Sequence, residues 1–387
     1  MSTPSRPARL IVVDALRGFA ILSIMLLHNI EHFDLYHFPD FLPEWLKTID
    51  SIIWDTLFFL FGGKSYAIFA LLFGLTFYIQ YNNQQRRGND FSGRFLWRLL
   101  LLFGFGFINS IFFEGDILAI YATIGVVLIP FRKLSNKMVW TAAIVLMLQP
   151  LEWIRLIGYM ITPDNAEAVS RAGRYFSMIG EPLSNGTFWE AMRSNLTNGR
   201  LGVFFWSYEN GRFFQTAGLF LTGFLLGRNK RFTTDPQNKL FWQKALVIAI
   251  IAFIPLFLLH KALSHMEWHK FVVTCLQTAV TSWSNLAFMT ILVSTFVLLF
   301  EHTAARGWLD KLSSMGRMSL SNYVLQSILG SIVYYGFGLG LYQYTGASFS
   351  LVIGAVLGAF QILFSTWWLK THKRGPLEQI WHRLTWI

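Results

Sequence analysis

Ten stretches of this 387-residue chain stay apolar over enough positions to enter a bilayer. A helix needs roughly 20 such residues to cross the hydrocarbon. The stretches are 10–28, 57–81, 95–113, 116–131, 138–161, 212–227, 241–260, 271–300, 318–340 and 348–370, with 116–131 and 212–227 the shortest. Lipid offers no partner to a backbone amide, so each stretch must satisfy its own hydrogen bonds as a helix. The expected fold class is therefore all-α, a polytopic membrane protein with about ten transmembrane helices. Composition agrees: 54% of residues are hydrophobic and 14% charged, where a soluble domain carries about 25% charged residues. The same figures exclude a disordered, collagen-like or coiled-coil chain.

Lys and Arg set the expected orientation, because cytoplasmic loops collect them. With the N-terminus inside, the inner segments 1–9, 82–98, 131–138, 228–244, 301–317 and the tail from 370 hold 21 of the 32 basic residues. The outer segments hold 9 basic and 14 acidic residues. Both termini are thus expected in the cytoplasm. The net charge of +11 reads as orientation and not as a nucleic-acid footprint. The first segment does not read as a signal peptide, since Asp14 and Arg17 interrupt it and no small-x-small site follows. The single cysteine, Cys275, excludes an internal disulfide and a Cys-based metal site, and reads as a buried packing thiol. No metal is expected.

The expected layout is five spans in 1–161, including an acidic, aromatic outer loop at 29–53; a helical cap at 162–211; five spans in 212–370; and a cytoplasmic tail at 371–387. Gly336-x3-Gly340 and Gly354-x3-Gly358 suggest close helix packing in the last two spans. His260, His265 and His269 read as an outer-loop group.

Ionisable groups inside spans are costly and mark function by default. Asp14 and Arg17 are three residues apart and can pair on one helix face. His28 follows Arg17 by 11 residues, close to three turns, so the two share a face roughly 16 Å apart. His is the side chain best matched to deprotonating a hydroxyl near neutral pH, and Arg17 suits a donor carbonyl or phosphate. His32 and His37 are alternative bases in the adjacent loop. Lys64 follows Gly62-Gly63, which suggests a broken second helix, and Lys64 and Asp55 are expected to neutralise each other in a polar cavity. Asn322 and Gln326 share a face at i, i+4; with Arg317 and Tyr323 they suit either interhelical hydrogen bonding or donor binding.

The Arg17-x10-His28 spacing resembles the motif of the acyltransferase-three family of membrane acyltransferases. Over nearly the whole chain, five ordered stretches resemble the YeiB-like family of bacterial membrane proteins, which carries domain of unknown function 418. They are Asp14-Ala-Leu-Arg17-Gly18, Ile68 to Gly74, Gly115 to Tyr121, Gly316 to Ser327, and Gly375-Pro-Leu-Glu378. This resemblance implies a polar core role for Asp116 and Tyr121. The acyltransferase resemblance implies transfer from a cytoplasmic acyl-CoA, acetyl-CoA first among them, to an extracytoplasmic glycan or small-molecule acceptor. In that reading His28 is the base, Arg17 holds the donor, Asp14 supports Arg17, and the cap helps bind the acceptor. Two other readings stand beside it: a secondary transporter with a 5+5 arrangement of helices, and a non-catalytic scaffold or sensor. The expected partners are the bilayer, acyl-CoA, the acceptor and a second copy in a homodimer.

Overall fold

The computed structural model describes residues 10–163, 170–301 and 303–387, and every regular element among them is helical. The first half comprises α1 (Ile11–Ile30), α2 (Glu44–Phe61), α3 (Ser65–Gln85), α4 (Ser92–Asn109), α5 (Leu118–Gly125), α6 (Leu128–Phe131), α7 (Asn136–Met147) and α8 (Pro150–Ile161). Short helices follow: α9 (Arg171–Phe176), α10 (Gly180–Ser184), α11 (Phe188–Ser194) and α12 (Arg200–Glu209), the last two joined by a π-helical turn at Asn195–Gly199. Then come α13 (Arg212–Arg228), α14 (Pro236–Leu263), α15 (Lys270–Phe300), α16 (Thr303–Leu309), α17 (Lys311–Arg317), α18 (Ser319–Tyr334), α19 (Ala347–Thr371) and α20 (Pro376–Thr385).

Five runs are long and apolar enough to cross a membrane: Ile11–Ile30, Glu44–Gln85, Pro236–Leu263, Lys270–Phe300 and Ala347–Thr371. A sixth arises if α7 and α8, bent by 48°, form one span. The other expected spans are helical but shorter or more polar. α13 has 17 residues and α18 has 16, while α4 carries Arg94 and Arg98.

Local chemistry explains where several helices begin and end. Pro236 opens α14 behind Asp235, whose side chain accepts from the Gln237 amide at 2.7 Å. Thr187 and Glu190 form a reciprocal capping box on α11. The break expected near Lys64 is present: α2 stops at Phe61 and α3 starts at Ser65. Gly63 sits there at φ +74°, and a Cβ on it would lie 2.5 Å from Asn285 Nδ2. The expected loop over 29–53 is in fact shorter. Residues from Glu44 onward are helical, because Ile49, Ile52 and Ile53 continue the apolar run into α2. The pair Gly336 and Gly340 lies beyond the end of α18, in a turn where Gly340 has φ +60°, so it is not a helix-packing motif. Gly354 and Gly358 do pack as expected, against Asn29 and Leu22 of α1.

The quoted stretches coincide with the tightest crossings. Gly316 lies so close to α1 that an added Cβ would sit 1.8 Å from the Asp14 carbonyl oxygen; at Gly18 it would sit 2.0 Å from that of Leu312. Gly74 of α3 and Gly223 of α13 form a second such crossing. The tail stretch also has a structural task. Glu378 accepts from the amides of Leu320 and Ser321 at 2.7 and 3.1 Å and from the Ser321 hydroxyl at 2.5 Å. It thereby caps the free N–H groups that begin α18. Glu378→Ala should cost about 2 kcal/mol and Glu378→Gln less, since glutamine keeps one acceptor. Thermal unfolding of the detergent-purified variants checks this, and equal losses would remove the capping role.

Candidate functional site

A cavity of 820 Å³ is lined by the short helices α9, α10 and α12, the last turns of α1 and α2, the start of α3, the second half of α14 and the middle of α15. Its wall combines apolar rings with a few convergent polar groups, as ligand sites usually do. His28, in the last turn of α1, faces into it. His28 Nδ1 lies 3.0 Å from Glu31 Oε2. With Nδ1 donating to the carboxylate, Nε2 is left to accept a proton. Glu31 Oε1 in turn accepts from the Tyr36 hydroxyl at 3.3 Å. The backbone makes this arrangement by leaving α1 sharply: His32, Phe33, Asp34 and Tyr36 all have positive φ. That strained turn folds Glu31 and Asp34 back beside His28.

Asp34 also lines the cavity, and burial together with neighbouring Glu31 pushes its carboxyl up to about 7. Glu114, fully buried between α4 and α5, accepts from the Tyr335 hydroxyl at 3.2 Å. Burial raises its carboxyl well above the usual range, and Asp34 adds to the effect.

On another side of the cavity stand Lys64 and Arg212. Arg212 follows Gly211, whose φ of +64° turns the chain into α13. Its guanidinium stacks over Tyr66 and Trp206 and bonds the Tyr66 hydroxyl and Gln215. Lys64 Nζ lies over the rings of Phe59 and Phe288 and 3.5 Å from the Phe58 carbonyl.

The expected site residues divide into several groups. His28, Lys64, Tyr121 and Tyr323 share the cavity wall. The Tyr121 hydroxyl donates to the Tyr66 carbonyl at 2.5 Å, and the Ile117 amide donates to the Tyr323 hydroxyl at 3.2 Å. Asp14 and Arg17 form the expected pair at 3.0 Å, and Arg17 also donates to the Thr76 hydroxyl of α3. Arg17 is not among the residues lining the cavity. His32 is buried against Ser350 and Thr345, at 2.9 and 3.2 Å, and His37 is exposed against Tyr342. Neither lines the cavity.

Asp55 is exposed on α2, and no ion pair among the described residues joins it to Lys64. The expected neutralisation fails because the break at Gly62–Lys64 turns Lys64 inward while Asp55 stays on the outer face of α2. Asp116 is buried, accepting from Asn109 at 3.2 Å and from the Ala119 amide at 3.0 Å, where it tethers the start of α5. Asn322 and Gln326 are interhelical connectors: Asn322 donates to Ser365 at 2.9 Å, and Gln326 to the Ile21 carbonyl at 3.1 Å. Arg317 donates to the Lys373 carbonyl at 3.5 Å, away from the cavity. Cys275 is buried as expected.

Sequence reasoning missed Glu31, Asp34, Tyr66 and Arg212, and placed His260 in a loop. His260 lies in α14, faces the cavity and bonds the Thr281 hydroxyl at 3.1 Å. The residues carry one retrospective signal: Glu31 follows His28 by three positions, the spacing of a helical pair. Among the described residues no group of three or more His, Cys, Asp or Glu could hold a metal ion.

Comparison with known proteins gives a consistent picture. Residues 226–387 match the family model described as "Protein of unknown function (DUF418)", a region that includes the stretches at Gly316 and Gly375. The chain is 27% identical to "Uncharacterized protein YxaH" of Bacillus subtilis (strain 168), over 98% of this chain and 94% of that protein. It is 28% identical to "Uncharacterized 39.9 kDa protein in amylase 3'region" of Bacillus acidopullulyticus, over 97% and 94%. It is 26% identical to "Uncharacterized protein YeiB" of Escherichia coli (strain K12), over 97% and 96%. No solved structure matches the chain. Residues 226–387 thus resemble the DUF418 family, and over nearly its whole length the chain is similar to YxaH and YeiB.

Proposed function

We propose that this chain is a bacterial inner-membrane acyltransferase with about ten crossings, both termini in the cytoplasm, and its reaction site in the cavity lined by α9, α10 and α12. The observation that carries the reading is the His28–Glu31 pair at 3.0 Å on the cavity wall. An imidazole oriented by a carboxylate, with its second nitrogen facing bound substrate, is the usual equipment of a general base. An acceptor hydroxyl or amine, on a glycan or small molecule, gives its proton to His28 Nε2. Its oxygen or nitrogen bonds to the acyl carbon, the thioester C–S bond breaks, and the leaving thiolate takes up the proton. Arg212 and Lys64 are placed to stabilise the negative charge on the acyl oxygen during that step. Arg17 takes a structural role in this account, linking α1 to α3.

Acyl-CoA, with acetyl-CoA the simplest, is the donor to test first. None of the cavity's lining residues belongs to the basic segments expected inside, so an acyl donor presented from the outer or lateral side is the alternative to a cytoplasmic acyl-CoA. Protein reconstituted in liposomes, given labelled acetyl-CoA and a mixture of acceptors, should transfer label. His28→Ala should lower the rate by about 10²-fold or more, with monodisperse folded protein retained. Glu31→Gln should lower it less. Unchanged turnover in His28→Ala would remove His28 from the chemistry. The one-sided lining also suits an outward-open transporter, and substrate uptake without any acyl donor would put that reading in its place.

A further inference from the structure

The geometry points to an anionic amphiphile as the ligand of this cavity: a phosphate or carboxylate head held by Lys64 and Arg212, with a hydrocarbon chain along the Phe58–Phe59 and Phe253–Phe257 wall. This names a substrate class for the site proposed above, and rests on that reading only in placing the ligand beside His28.

The argument begins with charge. Two cations share one cavity wall, and each lies within the other's electrostatic reach. Among the described residues, neither has a carboxylate within 4.0 Å. The cavity's own acids are engaged elsewhere: Glu31 with His28 and Tyr36, and Asp34 with Tyr36. Keeping two like charges in a low-dielectric site without a counter-charge is costly. It is sustained where a ligand supplies the missing anion. Arg212 Nε is buried and has no hydrogen-bond partner, so part of its donor set is unused. Lys64 Nζ has only a carbonyl at 3.5 Å and two ring faces, which leaves donors for an oxyanion.

The chain follows from the wall beside the cations. Phe59 lines the cavity, packs against Phe253, Phe257 and Phe288, and is also 41% exposed on the outer face of α2. Only 11% of the apolar window of α14 is buried, so that helix faces lipid. A ligand with its head at Lys64 can therefore run its chain past Phe59 to the bilayer. A free anion would use the cations and leave this wall without purpose.

The test measures binding and needs no turnover. Purified wild-type protein in a neutral detergent is titrated with short-chain phosphatidylglycerol, phosphatidylcholine of the same chains, and inorganic phosphate, with thermal stabilisation and native mass spectrometry as readouts. Phosphatidylglycerol should bind at least tenfold more tightly than phosphatidylcholine. Lys64→Gln and Arg212→Gln should each lose most of that preference, and Lys47→Gln, at a partly exposed position on α2 that does not line the cavity, should keep it. Equal binding of the two lipids, or saturation by inorganic phosphate at concentrations as low as the anionic lipid requires, would overturn the proposal. If a variant does not fold, the comparison of lipids on wild-type protein still decides. His28→Ala should retain the lipid preference. A failed transfer assay with preserved anionic-lipid binding thus separates the chemistry from the ligand class.

Discussion

Gly223→Val should abolish accumulation of folded protein. The α carbon of Gly223 lies so near α3 that a Cβ would come 1.8 Å from the Leu71 carbonyl oxygen, a backbone atom that cannot rotate aside. Gly74 mirrors it, with a Cβ 1.9 Å from the Phe220 carbonyl oxygen. Relief requires α3 and α13 to separate by more than 1 Å (about the deficit from an ordinary contact), along an interface built on the Phe73–Phe220 stack at 4.6 Å. Such overpacking costs on the order of 4–5 kcal/mol, comparable to much of a protein's net stability. Gly104→Val is the control, since nothing lies within 4 Å of its added Cβ. Size-exclusion profiles of fluorescently tagged variants should show a monodisperse peak for Gly104→Val and none for Gly223→Val. Equal peaks would mean the crossing tolerates separation.

The second large effect is a pair of opposed pH dependences in the turn after α1. His32 is fully buried, and burial lowers its imidazole to about 4. The unfolded chain takes a proton below about 6.5 and the folded one does not, so stability is lost as pH falls from there towards 4. The full loss is on the order of 3 kcal/mol. Asp34 runs the other way. Its carboxyl, raised to about 7 from the ordinary 3.8, stays protonated in the fold while the unfolded chain ionises, so stability is lost as pH rises through that window. Glu114, raised by the same burial, adds to the Asp34 slope, and the two carboxyls together oppose His32 in the wild-type protein. Asp34→Asn combined with Glu114→Gln should leave the His32 dependence, with the apparent Tm falling on acidification from pH 6.5 to 4. His32→Asn should leave the carboxyl dependence, with the apparent Tm rising over the same range. Wild-type pH profiles in both variants would show that neither group is perturbed by its surroundings.

The site was legible where its residues announce themselves by being costly. His28 and Lys64 stand out as polar groups in apolar segments, and both reach the cavity. Arg212 sits at the start of α13, after a stretch that carries several other arginines, so nothing local sets it apart from them. Its place beside Lys64 depends on α13 packing against α3. The same limit applies to Arg17, whose helical phase matches that of His28 but whose guanidinium turns to Thr76 of α3.

By itself, the sequence determined that this chain is helical and apolar enough for a membrane, because unpaired amides cannot exist in lipid and the apolar runs leave no alternative. It also determined the rarity of charge within those runs, and hence the short list of residues to test. Only the tertiary structure decided which of those charges meet. Burial of an ion is settled by the neighbours that three-dimensional packing supplies. The same pair of residues on one helix face can be a catalytic unit or a structural tie, depending on which helix crosses beside it.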